Sequence, residues 1–332
     1  MPTFGVVVPS VGAFADATVD AELTAVIESL GYDSVWYGDH VVVPSYAAHL
    51  VSPDWLDPIA RCLVGLGRTT HLRFGTEVLV APYRPPVLTA KLLATADVLG
   101  GGRLTPAFGV GYLRGEFAAL GSPPFERRGE VTDEYLEVIR DLWRSEGAAT
   151  HDGTHVRFAD VHFGPRPVQD PMPLWVGGNG PAALRRAARL GTGWHPLFPT
   201  PEEYAAGRAR VAELRRERGL EASPFTFSFS CGTTRLLDDP DGPYVTGSWA
   251  DLDDVPDDFD YAPPMPCDEH GRPRFMGTPD QVVSDVRRYV EAGVEHIVLR
   301  FATGGPETTP EQMLVQLERF AAEVLPRVGD HG

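Results

Sequence analysis

The sequence predicts an α/β protein folded as a single (β/α)8 TIM barrel spanning residues 1–332, and three observations lead there. Strand-like and helix-like stretches alternate eight times along the 332 residues, a length ordinary for one such barrel. The strand candidates are β-branched or aromatic runs bounded by Gly, Pro or Asp, and the stretches between them repeat apolar residues three and four apart. Three of the helical stretches close on ESLG, ARLG and VEAG, each with a glycine suited to the position after a helix end. An open, doubly wound sheet is the alternative arrangement of the same units.

Taken in order, the first strand is FGVVVPS (4–10), and the helix DAELTAVIESLG (20–31) follows it. The second, SVWYGDH (34–40), stops on two titratable groups. The third, RFGTEVLV (73–80), places Glu77 among apolar residues, which is uncommon unless the chain is distorted there or the carboxylate is used. The fourth, RLTPAFGVG (103–111), contains Pro106, a poor fit to the central strand of an open sheet. After the helix VTDEYLEVIRDLWR (131–144), the segment THDGTHVRFADVHFGPRPVQ (150–169) carries an Asp-Gly turn between alternating residues. It reads as an extra hairpin before the fifth strand. PLWVGGN (173–179), GWHPLF (193–198), FTFSFSCG (225–232) and HIVLRFA (296–302) complete the set. A long insertion, residues 236–277, follows the seventh strand; between Leu236 and Phe275 it holds eleven acids against two arginines, a balance of −9. Such an insertion emerges on the C-terminal face of a barrel, where active sites lie. It is either a solvated acidic loop or a lid or subunit contact.

Composition narrows the function. With 43% hydrophobic and 23% charged residues the chain falls among soluble globular proteins. No apolar run approaches the ~18 residues of a membrane span. The start, MPTFGVVVPS, lacks the basic stretch of a signal peptide. Cys62, Cys231 and Cys267 share no CxxC or zinc-finger spacing, as expected for a reduced cytoplasm. A formal charge of −17 argues against nucleic acid, whose phosphates need basic patches.

Four constellations could carry chemistry. Asp39 and His40 end the second strand, and a strand end in a TIM barrel faces the active-site mouth. The pair could be half of a hydrolytic triad, part of a metal site, a proton relay or a plain strand end. No GxSxG elbow or recognisable nucleophilic cysteine is present. His151 and His155 flank an Asp-Gly turn rather than sharing a helix face, so converging metal ligands are also lacking. A histidine acting as acid or base on a bound ring survives these eliminations. In WVGGNGPAALRRAARLG, Gly177, Gly178 and Asn179 precede Gly180 and Pro181. Glycines admit an anion close to backbone N–H groups, Pro181 suits the first helical turn, and Asn179 or Gly180 suits the cap. This is a phosphate cradle or an ordinary strand-to-helix turn. Gly109, Val110, Gly111 and Tyr112 open a GxGxxxG run, one residue longer than the dinucleotide fingerprint; a flat ligand or close strand–helix packing explains its glycines. Glu77 is the fourth.

Five stretches occurring in order, GYDSVWYGDH, GTEVLVAPYRPPVLTAKLLATADVLGGGR, FGVGYLRGEFAALG, ERRGEVTDEYLEVIRDLWR and PLWVGGNGPAALRRAARLGTGWHPL, resemble the bacterial luciferase-like superfamily. Within it they are most similar to the branch that uses the deazaflavin coenzyme F420. The resemblance covers roughly residues 1–220 and the last helix–strand–helix, and leaves the acidic insertion without a counterpart. It implies a luciferase-like barrel, a homodimer and an oxidoreductase passing a hydride between F420 and a small organic substrate. It also implies a non-prolyl cis peptide between Glu77 and Val78 backing the ring, with Asp39 and His40 contacting the ring and moving its proton. Gly109, Val110, Gly111 and Tyr112 would border the ring, Gly177, Gly178 and Asn179 would hold its phosphate, and Trp194 and His195 would line the cofactor or substrate pocket. The alternative within the resemblance is a two-component monooxygenase that uses FMNH2 from a partner reductase and O2.

Overall fold

The computed structural model describes residues 1–48, 52–240, 265–302 and 308–329. The strands are β1 (Thr3–Val7), β2 (Ser34–Tyr37), β3 (Arg73–Thr76), β4 (Leu79–Val80), β5 (Leu104–Thr105), β6 (Ala107–Gly109), β7 (Ala148–Asp152), β8 (Arg157–His162), β9 (Trp175–Gly177), β10 (Gly193–His195), β11 (Thr226–Thr233), β12 (Arg235–Leu236), β13 (Met276–Gly277) and β14 (His296–Arg300). The helices are α1 (Ala17–Ser29), α2 (Pro58–Arg68), α3 (Pro86–Leu99), α4 (Arg114–Leu120), α5 (Arg128–Arg144), α6 (Pro181–Leu190), α7 (Pro201–Arg216), α8 (Pro279–Glu291), α9 (Pro310–Glu323) and α10 (Leu325–Gly329).

The main sheet runs β4-β6-β9-β10-β11-β14-β1-β2-β3-β5, every neighbour parallel. Its two ends meet. β3 and β4 are halves of one extended stretch split at Glu77–Val78, β5 and β6 halves of the next split at Pro106, and β3 pairs β5 while β4 pairs β6. The last strand, β14, pairs the first. The parallel sheet therefore curls round on itself, which an open doubly wound sheet does not do.

Inside the curl a small cluster of Val7, Trp36, Ala107, Trp175 and Val298 fills the centre, with Trp36 stacked on Trp175 at 5.3 Å. Trp36 finds room because its β3 partner is Gly75 and because Gly5, two residues before its β1 partner Val7, also lacks a side chain. A Cβ on Gly5 or Gly75 would lie 2.4 Å from the indole. The larger cluster lies between strands and helices, where helices such as α2, α5, α6 and α8 turn one apolar face to the sheet.

Helix ends follow local chemistry. Asp16 caps α1 by accepting from the Thr18 and Val19 N–H groups. Gly31 and Gly293, after α1 and α8, take φ of 81° and 94°, as expected of a glycine there. Gly191 after α6 does not: its φ is −80°. It is instead hemmed in, since a Cβ there would sit 2.9 Å from the Ala187 carbonyl.

Before β9, β7 and β8 pair antiparallel. Their turn is wider than an Asp-Gly pair, with the Gly153 N–H donating to the Val156 carbonyl at 3.0 Å. Glu134 of α5 ties the turn down by accepting from the Thr154, His155 and Val156 N–H groups. Residues 241–264, most of the acidic insertion, lie outside the described residues. Its two arginines are not solvated: Arg272 and Arg274 are buried against Asp285 of α8. They anchor the far end of the insertion beside β13, which pairs β12.

Candidate active site

Past the end of β2, Gly38 lets the chain run under Trp55, whose ring would lie 2.9 Å from a Cβ at that position. Asp39 follows, 4% exposed. One carboxylate oxygen accepts from the Val80 N–H at 2.8 Å and the pair is gripped by Arg84 at 2.7 and 2.8 Å. Arg84 also reaches Asp57 at 2.7 Å, which caps α2. Asp39 thus clamps β4 to the end of β2, with a forked guanidinium on both of its oxygens.

His40 has both ring nitrogens engaged. Nδ1 lies 3.1 Å from Glu116 Oε2 and Nε2 lies 2.9 Å from the Tyr112 hydroxyl, with Trp55 edge-on at 4.6 Å. Glu116, on α4, is completely buried. It also accepts from the Val41 and Val42 N–H groups at 2.5 and 3.2 Å and from the Tyr83 hydroxyl at 2.6 Å. Burial alone would push its carboxyl up. The hydrogen bond and charge of His40, then Tyr83 and the Val41 N–H, outweigh that and hold it below the usual range. An ionised carboxylate only accepts, so Nδ1 carries a proton and Nε2 is the nitrogen that meets the Tyr112 hydroxyl. Tyr112 stays a neutral phenol, pushed up by burial and then by Glu116, with Arg300 opposing.

The floor of this mouth is Glu77. The Glu77–Val78 peptide is cis, and the carboxylate bridges the barrel from β3 to β10 and β14. Oε2 lies 3.1 Å from His195 Nε2, and Oε1 accepts from Arg300 at 3.0 Å. Burial raises the Glu77 carboxyl, but the hydrogen bond and charge of His195, with Arg300 and Ser230, hold it low. His195 Nδ1 meets Ser228 Oγ at 2.8 Å and its ring stacks on Trp36 at 5.0 Å. Val78 leans on two bare glycines: a Cβ on Gly109 or Gly177 would come within 2.4 or 3.0 Å of its methyls. Val110 and Tyr112 are partly exposed beside them. Gly111 takes φ 80°, where a Cβ would lie 2.8 Å from Phe117.

At the adjoining strand ends, Gly178 has φ 106° and Gly180 caps α6, with Pro181 in its first turn. Asn179 is exposed, and its amide both donates to the Leu197 carbonyl at 2.7 Å and accepts from the Leu197 N–H at 3.0 Å. It braces two loops, so an anion there would meet backbone N–H groups. Among the described residues no three or more His, Cys, Asp or Glu converge as a metal site, and no helix is long and apolar enough to cross a membrane.

A family model described as luciferase-like monooxygenase matches residues 5–236, the stretch that carries all of these features except Arg300. The chain belongs to the luciferase-like monooxygenase family. This luciferase-like chain is 26% identical to an F420-dependent glucose-6-phosphate dehydrogenase of Amycolatopsis mediterranei (strain U-32), the alignment covering 91% of each. It is 35% identical over 225 residues to an uncharacterized protein of Mycobacterium tuberculosis (strain ATCC 25618 / H37Rv), covering 64% of this chain and 76% of that one. Among solved structures, an F420-dependent secondary alcohol dehydrogenase in complex with an F420-acetone adduct superposes with TM-score 0.77, at 20% identity over 99% of both chains. A monooxygenase from Streptomyces bottropensis superposes at 0.75, with 22% identity, 98% of this chain and 99% of that one. At such identities the superpositions establish the fold.

The luciferase-like fold gathers Asp39, His40, Glu77, Val78, Gly109, Val110, Gly111 and Tyr112 at one mouth and puts Gly177, Gly178 and Asn179 at its edge. Trp194 departs from expectation. Alternation along β10 sends His195 inward and the Trp194 ring outward, where it stacks on Tyr204 of α7 at 5.2 Å and donates to the Gly178 carbonyl at 3.0 Å. It is 2% exposed and supports the glycine loop from behind instead of lining a pocket. His195 is inward but fully buried beneath Glu77.

Glu116, Tyr83, Arg84 and Arg300 were not singled out from sequence. Arg300 was within reach, being a cation on the last residue of a barrel strand. Glu116 had no periodic signal, because a seven-residue helix is too short to show which face it buries.

Proposed function

We propose that this protein is an oxidoreductase that moves a hydride between coenzyme F420 and a small organic substrate, with His40 exchanging the accompanying proton. The observation that carries the reading is His40 itself, a histidine at the barrel mouth with Nδ1 fixed by a buried carboxylate and Nε2 facing a neutral phenol. Imidazole titrates near neutrality and so works in both directions. The F420-dependent dehydrogenase that aligns along nearly the whole chain favours the deazaflavin.

The residues present fit such a group. Val78, seated on Gly109 and Gly177, presents an apolar wall. Asp39, His40, Glu77, Val110, Gly111 and Tyr112 border it, and the loop of Gly177, Gly178 and Asn179 before α6 suits a phosphate. When bound, F420 supplies a carbon centre that accepts or gives up a hydride. The protein's own work is to hold the ring edge, to keep Nε2 of His40 at the substrate side, and to keep Tyr112 protonated as its partner. FMN with O2 and a partner reductase is the second reading, since a flavin shares the ring shape and the phosphate.

A homodimer completes the proposal. Leu88, Leu92, Thr95 and Leu99 fall on one face of α3 at helical spacing, with Leu88 52% and Leu99 73% exposed; the occupant proposed for that stripe is a second copy of the chain.

Titrating the purified protein with F420 and with FMN tests the cofactor. Saturable binding of F420 is expected, and the His40→Asn variant should bind it equally while losing about 10²- to 10⁴-fold in turnover. Oxygen uptake driven by FMNH2, with no affinity for F420, would overturn the reading in favour of the second.

A further inference from the structure

Arg300 is the cation at this mouth whose protein partners leave hydrogen-bonding capacity over. Arg84 is consumed by Asp39 and Asp57. Arg300 ends β14 with its side chain 24% exposed and spends one N–H on Glu77 at 3.0 Å. Its Nε is buried with no hydrogen-bond partner among the described residues. Glu77, shared with His195, fixes the guanidinium plane without saturating its five donors. On the other side of the mouth, Tyr112 bonds Nε2 of His40, and the charge of Arg300 is felt at its phenol. A buried donor left unmade is expensive, and a planar fork is shaped for a planar two-oxygen anion.

We infer that Arg300 is the specificity determinant for substrate, and that the substrate is a short carboxylic acid whose carboxylate docks on Arg300 while its reacting carbon lies beside His40. This rests on the oxidoreductase reading above and names its substrate class. Arg300 already pairs with Glu77, so a docked carboxylate adds a single negative charge there, whereas a phosphate dianion would add two. A phosphate dianion would leave surplus negative charge between two carboxylates, Glu77 and Glu116, that are held ionised. The strands also separate the two tasks: the glycine loop suited to a cofactor phosphate follows β9, whereas Arg300 ends β14, three strands further along the curled sheet.

The test uses the chain without cofactor and three pairs of probes by titration calorimetry: acetate against acetamide, crotonate against crotonamide, and trans-cinnamate against cinnamamide. At least one acid should bind about tenfold or more tightly than its amide. That ratio should collapse to near unity in Arg300→Met and survive in part in Arg300→Lys, which keeps the charge; melting curves confirm that each variant folds. If Arg300→Met does not fold, the Arg300→Lys ratio and the native ratio decide. Equal binding of acid and amide, binding of no acid, or a preference that survives Arg300→Met overturns the inference. F420 titration of the same proteins keeps the two readings apart. A native chain that ignores F420 yet shows the Arg300-dependent preference overturns the proposed cofactor and upholds the carboxylate site. An Arg300→Met variant that loses F420 while keeping the acid preference overturns the carboxylate site alone.

Discussion

Glu116 does for His40 what no residue adjacent in sequence could do. Its carboxylate gathers two backbone N–H groups, a tyrosine hydroxyl and the Nδ1 proton, so the imidazole is locked in one tautomer and its charged form has a waiting counter-ion. A hydrogen bond to a charged group is worth about 1.5–3 kcal/mol, or roughly ten- to hundredfold in rate. Glu116→Gln should therefore lower kcat/KM by about that factor. It should also move the ionisation that limits kcat/KM to lower pH, because a cationic imidazole loses its anion. Glu116→Asp should restore part of both effects. A pH profile that drops uniformly without shifting would show that Glu116 only packs.

The helical elements carry the case for self-association. α3 is apolar around most of its circumference: Leu93, Ala94 and Ala96 are buried, while Val87, Leu88, Val98 and Leu99 stay in the open. A helix apolar on both sides is one buried on both sides. Sedimentation equilibrium at micromolar concentration should give a dimer for the native chain and a monomer for the Leu88→Glu/Leu99→Glu double variant, with unchanged helical circular dichroism. A native monomer would discard the dimer. The same scale explains the glycines. Those beside Trp36 and Val78 exist because a ring or a methyl of the neighbouring strand occupies the place of their Cβ atoms, not because those strands must bend.

Across the whole molecule a polar thread runs through the barrel. From Arg300 and Glu77 at the mouth it passes to His195 and Ser228, and at the other end His296 lies between Ser34 at 3.2 Å and Thr3 at 2.7 Å. Burial, reinforced by the charges of His195 and Arg73, pushes His296 down to about 3. The unfolded chain would protonate this ring near 6.5. Between those values the unfolded state holds a proton that the folded state refuses, so stability falls as pH drops through that window, by at most about 1.4 kcal/mol per pH unit. Denaturant melts should show this slope between pH 6.5 and 5, and His296→Asn should flatten it. An unchanged slope would assign the loss to other groups. Glu77 and Glu116, held low, add their own loss only as pH falls below the ordinary carboxylate range.

By itself the sequence determined the order of the units, the start of α6 at Pro181 and the strand-two Asp39–His40 pair, because period and glycine density are local; α1 and α5 each begin three residues earlier than their apolar period shows. It also carried enough ordered motifs to indicate the family. Only the tertiary structure decided what the polar residues do. Strand alternation sent His195 inward and Trp194 out against Tyr204; Asn179 closed on Leu197, and Asp39 on Arg84, because loops distant in sequence meet at one rim. Glu116 and Arg300, the partners that give His40 and Glu77 their chemistry, lie 76 and 223 positions away from them. Curling the sheet brings such residues within hydrogen-bond distance, and no periodicity along the chain records that approach.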